Sequence, residues 1–104
     1  MGEIKPITQA VILAGGKGER LRPLTDNLPK PMVPVSGKPF LEYVVELLRD
    51  NGIKEIVMLL GYLPDKITEY FGDGKKFGVS IRYSVGSVDD LTGTRIRNAA
   101  LLLN

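Results

Sequence analysis

The chain contains no cysteine and no histidine. Without cysteine there are no disulfides and no thiolate metal sites, and without histidine neither a zinc site nor a histidine-based catalytic relay can be assembled. Long apolar runs are missing too. The longest, around Ile56 to Leu60 and Ala99 to Leu103, are far too short to span a bilayer, and no long apolar segment stands before Ala10 to act as a secretory signal. The expected setting is cytoplasmic, with no membrane partner.

What is present is a globular balance: 104 residues, 43% hydrophobic and 25% charged, which suffices for one small domain and excludes a second complete one. The net charge of +2 points only weakly toward nucleic acid. Its distribution says more. Between Lys17 and Lys38 stand five bases (Lys17, Arg20, Arg22, Lys30 and Lys38) against two acids, Glu19 and Asp26, so positive charge is concentrated in one stretch. A second basic segment, "YFGDGKKFG" at 70–78, reads as a solvated glycine-rich turn rather than a base-stacking patch. No nucleic-acid partner is expected.

"QAVILAG" is a short continuous apolar run ending in glycine, the pattern of a buried parallel strand. The segment 15–38, with Pro23, Pro29, Pro31 and Pro34, predicts an extended loop with one helical turn around Glu19 to Leu21. An ordered loop of this length is usually functional. "KPFLEYVVELLRDNG" predicts a helix opened by Pro39, with Phe40, Val44, Leu47 and Leu48 on its apolar face and Asn51-Gly52 as its stop. "IKEIVMLLGY" is a second buried strand, which makes a right-handed strand, helix, strand crossover.

Pro64 opens a short helix bearing Ile67 and Phe71, "VSIRYSV" alternates as a strand nearer the sheet's edge, and "TRIRNAALLLN" predicts a last helix starting near Thr92 or Gly93. The expected fold is α/β, a Rossmann-like three-layer sandwich with a mostly parallel sheet. Residues 1–104 read as the amino-terminal half of such a domain.

The glycine loop that follows the first strand matches neither standard phosphate motif. A dinucleotide fingerprint would need glycine where Leu21 stands, and a P-loop ending at Gly37-Lys38 would need glycine at Met32 and a hydroxyl residue at Pro39. What is there is Gly15, Gly16, Gly18 and Arg20, with Lys30 held between Pro29 and Pro31. Glycine amides approach phosphate oxygens closely, an arginine fork matches their geometry, and a lysine on a stiffened backbone supplies a point charge. The arrangement suits a triphosphate, with a tight turn carrying ordinary surface charges as the alternative.

"VILAGGKGERLRPLTDNLPKPMVPVSGKPFLEY", from Val11 through Tyr43, resembles the amino-terminal signature of the sugar-phosphate nucleotidyltransferases. The resemblance implies nucleotidyl transfer from an NTP to a sugar 1-phosphate with Mg²⁺ and release of pyrophosphate. It assigns phosphate-loop roles to Gly15, Gly16 and Gly18, and places Leu13 and Ala14 beside the nucleotide base. By the same resemblance Arg20 contacts the triphosphate and Lys30 lies near the α-phosphate and the sugar phosphate. Gly37-Lys38-Pro39 resembles the family's hinge into the first long helix. Tyr43 lies off the main apolar face, where it either helps order the phosphate loop or makes a helix-to-loop contact.

Further on, the resemblance thins. The family's base-reading segment, roughly LGTAGAL, corresponds here to "DDLTGTRIRNA", in which Gly93 and Thr94 are recognisable and Arg95 is bulkier than the usual small residue. The family's metal-binding aspartate falls beyond residue 104, so no metal ligand is assigned within the chain. Asp89 and Asp90 read as solvated surface, with cation recruitment the alternative. A non-catalytic nucleotide-binding or regulatory module and a structural or interaction domain stay open as functions, and so does a homo-oligomeric assembly.

Overall fold

In the computed structural model, which describes residues 6–86, the apolar run before the glycines is strand β1 (Gln9–Leu13). A long loop leads to a small hairpin, β2 (Pro34–Val35) and β3 (Lys38–Pro39). Its tip is Ser36-Gly37, both at positive φ (53° and 81°), as a two-residue turn between right-twisted strands requires. Helix α1 (Phe40–Asp50), strand β4 (Glu55–Leu60), helix α2 (Pro64–Phe71) and strand β5 (Ser80–Val85) follow.

The sheet has the order β1-β4-β5, with every pair parallel. Leu13 lies opposite Leu59, and Leu60 opposite Val85. Each parallel step needs a crossover, and α1 and α2 provide the two. The central strand is buried on both faces, which is why it reads as an unbroken apolar run. Ile56, Met58 and Leu60 share a core with Leu41 and Val45 of α1 and Ile67 and Phe71 of α2, while Val57 and Leu59 pack with Val11 on the opposite face. Each fully buried side chain of this size contributes about 1.5–3 kcal/mol. The chain is thus a Rossmann-like α/β sandwich with a mostly parallel sheet.

Two details differ from the sequence reading. The buried face of α1 is Leu41 and Val45, flanked by Val44 and Leu48, whereas Phe40 is 53% and Leu47 64% exposed. Four apolar residues fall near a second stripe, and only packing on the sheet decides between the two. The loop 15–38 is also more structured than an extended strap. Besides the turn at Glu19–Leu21 it forms 3-10 turns at Leu24–Asp26 and Lys30–Met32, short enough for the prolines to tolerate.

The stop of α1 falls where expected. Gly52 at φ 93° lets its amide donate to the Arg49 carbonyl and the Ile53 amide to the Leu48 carbonyl (3.1 and 3.0 Å), the Schellman pattern, with buried Ile53 folding back onto the helix end. The expected last helix lies outside the described residues, as do Asp89, Asp90, Gly93 and Thr94. Among the described residues no helix is long and apolar enough to cross a membrane.

Candidate functional site

Ligands of open parallel sheets bind beyond the carboxyl ends of the strands, and the glycine loop emerges at that end of β1. Ala14 still belongs to the sheet: its amide donates to the Leu59 carbonyl at 2.9 Å and its side chain is buried. From there the chain leaves the ladder. The Gly15 carbonyl accepts from the Tyr62 amide (3.3 Å), just past β4, and the Gly16 carbonyl accepts from the Lys30 amide (3.4 Å). The two halves of the long loop are therefore tied together across the strand end.

Gly18 is the knuckle of this loop. It lies in the left-handed region (φ 64°), and a Cβ there would stand 2.8 Å from the Lys30 Cβ and 2.9 Å from the Thr25 Cγ2, closer than side chains approach. Only glycine allows that packing. The Gly18 carbonyl accepts from the Leu21 amide (2.9 Å) and from the Thr25 hydroxyl (2.8 Å). Gly16 is different: it is exposed, and a Cβ there would meet nothing within 4 Å. Its open side faces solvent.

An open cleft of about 630 Å³ is lined by Gly16, Lys17, Gly18, Glu19, Arg20, Leu21 and Lys30, three bases against one acid. The fold sorts the five clustered bases into two groups. Arg22 is paired with Asp26 at 2.7 Å, and its pKa is raised by that hydrogen bond and by the carboxylate's charge. Lys38 is hydrogen-bonded to Glu46, lies 3.6 Å from Glu42 and stacks over the Tyr43 ring, and the bond to Glu46 foremost raises its pKa. Among the described residues no acid pairs with Lys17, Arg20 or Lys30. Three unneutralised cations surround the glycine loop, a polarity suited to an anion with several charges.

The residues singled out in the sequence fall as follows. Gly15, Gly16, Gly18, Arg20 and Lys30 come together at the end of β1. Leu13 ends that strand 59% exposed. Ala14, being buried, offers backbone alone. Tyr43 does not reach the glycine loop: its hydroxyl donates to the Val35 carbonyl at 2.8 Å, a helix-to-hairpin contact. Gly93 and Thr94 lie outside the described residues.

Two residues escaped the sequence reading. Thr25, 2% exposed, is the one buried polar side chain among the described residues. Tyr62 donates its hydroxyl to the carbonyls of Thr25 (2.9 Å) and Asp26 (3.3 Å). The signal for Tyr62 was its place directly after a buried parallel strand; Thr25 carries none, because its burial is a tertiary fact. Mg²⁺ finds no ligand set here. Among the described residues no group of three acidic side chains is placed to hold a metal ion, Asp26 is engaged by Arg22, and Glu19 is the one carboxylate lining the cleft, beside three bases.

The nucleotidyl transferase family matches residues 9–104. The chain is 45% identical over 94 residues to a UTP--glucose-1-phosphate uridylyltransferase of Synechocystis, covering 88% of this chain and 24% of that protein. It is 41% identical over 103 residues to a D-glycero-alpha-D-manno-heptose 1-phosphate guanylyltransferase of Campylobacter jejuni, covering 92% and 46%. Among solved structures, the CTP:phosphocholine cytidylyltransferase of Streptococcus pneumoniae superposes with a TM-score of 0.73 at 36% identity, over 93% of this chain and 42% of that one. The chain spans between about a quarter and a half of the length of these relatives.

Proposed function

The chain belongs to the sugar-phosphate nucleotidyltransferase family, and from that premise we propose that residues 1–104 form the nucleotide-binding part of a nucleotidyltransferase domain. The reaction is transfer of a nucleotidyl group from an NTP to a sugar 1-phosphate. The observation that carries the proposal is the cleft with Lys17, Arg20 and Lys30 unpaired around the glycine loop. The three relatives are named for uridylyl, guanylyl and cytidylyl transfer, two of them to a sugar 1-phosphate and one to phosphocholine. A triphosphate donor and a phosphate-bearing acceptor are common to all three. A grip of glycine amides and cations reads those phosphates and is indifferent to the base.

In this reading the amides of Gly15, Gly16 and Gly18 cradle the triphosphate, and Leu13 and Ala14 border the base. An oxygen of the sugar phosphate attacks the α-phosphorus in line. The bond from that phosphorus to the bridging oxygen breaks, and pyrophosphate leaves with the electron pair. The nucleophile is already anionic, so no side chain has to remove a proton; positioning and charge neutralisation lower the barrier. Lys30 neutralises the α-phosphate and the approaching sugar phosphate, and Arg20 stabilises the departing pyrophosphate.

The test is calorimetric titration of the 104-residue chain with a panel of NTPs and Mg²⁺, beside the Arg20→Ala form. Saturable binding weakened at least about tenfold, or about 1.4 kcal/mol, by the substitution supports the reading. A folded chain that gives no heat with any NTP refutes it for this piece.

A further inference from the structure

We infer that Thr25 and Tyr62 are positioning residues for the triphosphate: together they latch the glycine loop to the end of β4 in the shape that carries Lys30. The inference rests on the cleft being the NTP site. Tyr62 holds the loop at two places. Its amide donates to the Gly15 carbonyl at 3.3 Å, where the loop begins, and its hydroxyl donates to the Thr25 and Asp26 carbonyls, where the loop turns back. It is followed by Leu63 at φ 46°, a backbone region that favours glycine, so the chain accepts an unfavourable conformation directly beside the latch.

Thr25 completes the connection. Its backbone is held by Tyr62, and its buried hydroxyl donates to the Gly18 carbonyl at 2.8 Å. Against its methyl and the Lys30 stem, Gly18 leaves no room for a Cβ. The order of contact is Tyr62, Thr25, Gly18, Lys30. A valine at 25 fills the same volume and offers the Gly18 carbonyl no donor. The Gly18 carbonyl then keeps only the Leu21 amide, the tie from Gly18 through Thr25 to Tyr62 is lost, and the amides and the ammonium are held less firmly toward one anion.

The probes are inorganic tripolyphosphate, which isolates the phosphate grip from the base, and the NTP panel, titrated into the 104-residue chain. Thr25→Val and Tyr62→Phe are expected to weaken tripolyphosphate binding about tenfold or more, and Thr25→Ser to restore it to within about twofold. Because the latch acts through Lys30, Thr25→Val is expected to cost much less in a Lys30→Ala background than in the wild type. A merely structural threonine would cost the same in both. If Thr25→Val does not fold, Tyr62→Phe, which removes one hydroxyl from a half-buried ring, decides alone. Folded variants that bind like the wild type, or losses that simply add to that of Lys30→Ala, overturn the inference. A wild type that binds neither probe removes the underlying reading as well, whereas weakening by Arg20→Ala with no effect of the latch variants overturns the latch alone.

Discussion

Gly16 and Gly18 stand two residues apart in one loop, and the structure gives them different jobs that a pair of alanine substitutions separates. At Gly18, alanine must adopt φ 64°, which costs a non-glycine residue roughly 1–2 kcal/mol. It must also push its Cβ against the Lys30 Cβ and Thr25 Cγ2 at under 3 Å, and overpacking of that kind costs about 1–3 kcal/mol. The sum is about 2–5 kcal/mol. At about 3 kcal/mol, Tm falls by roughly 12–24 °C in a domain of this size. At Gly16 no positive φ is required and a Cβ meets nothing, so Gly16→Ala is expected to leave stability within about 0.5 kcal/mol. Its methyl, however, projects into the cleft and is expected to weaken triphosphate binding. Thermal and urea unfolding, followed by titration of the folded proteins, read both effects. A Gly18→Ala chain as stable as the wild type refutes the loop geometry, and a Gly16→Ala chain that is stable and binds undiminished refutes the placement of the phosphates.

The contrast between faces of α1 predicts that Leu41→Ala costs about 2–5 kcal/mol in urea unfolding, while Leu47→Ala, 64% exposed, stays within about 0.5 kcal/mol. The two arginines differ likewise: Arg20→Ala is expected to lower NTP affinity at least about tenfold, whereas Arg22→Ala, which removes a base already paired with Asp26, is expected to lower it less than about threefold in the same titration. The Tyr83 hydroxyl, donating to the Gly72 carbonyl at 2.6 Å, has its pKa pushed up to about 12 by burial and, secondarily, by the charge of Asp73. A phenol raised above its unfolded value of about 10 contributes stability that is complete below about pH 10 and is lost as pH rises through about 12. Denaturant titrations across that window are expected to show the fall in the wild type and a smaller one in Tyr83→Phe.

The alternation of strand and helix was legible because it is local. An apolar run bounded by glycine, a proline at a helix start and Asn51-Gly52 at a helix end each act over a few residues, and β1, α1, β4, α2 and β5 all form where those signals stand. Which stripe of α1 is buried was not legible. Phe40 and Leu47 are as apolar as Leu41 and Val45, and the choice belongs to the sheet that the helix packs on.

By itself the sequence determined the parallel α/β order, the family through the run from Val11 to Tyr43, and the clustering of glycines and bases directly after the first strand. The tertiary structure alone decided which charges are available. Arg22 finds Asp26 on the next turn and Lys38 finds Glu42 and Glu46 on α1, which leaves Lys17, Arg20 and Lys30 around the cleft. It alone brought in Thr25 and Tyr62 as well: the Tyr62 hydroxyl, thirty-seven residues from its carbonyl partner, meets it across the pairing of β4 with β1, and the Thr25 hydroxyl meets the Gly18 carbonyl where the loop folds back on itself. Residue type sets what a side chain is able to bind; only the folded chain sets whether its partner is another residue or a ligand.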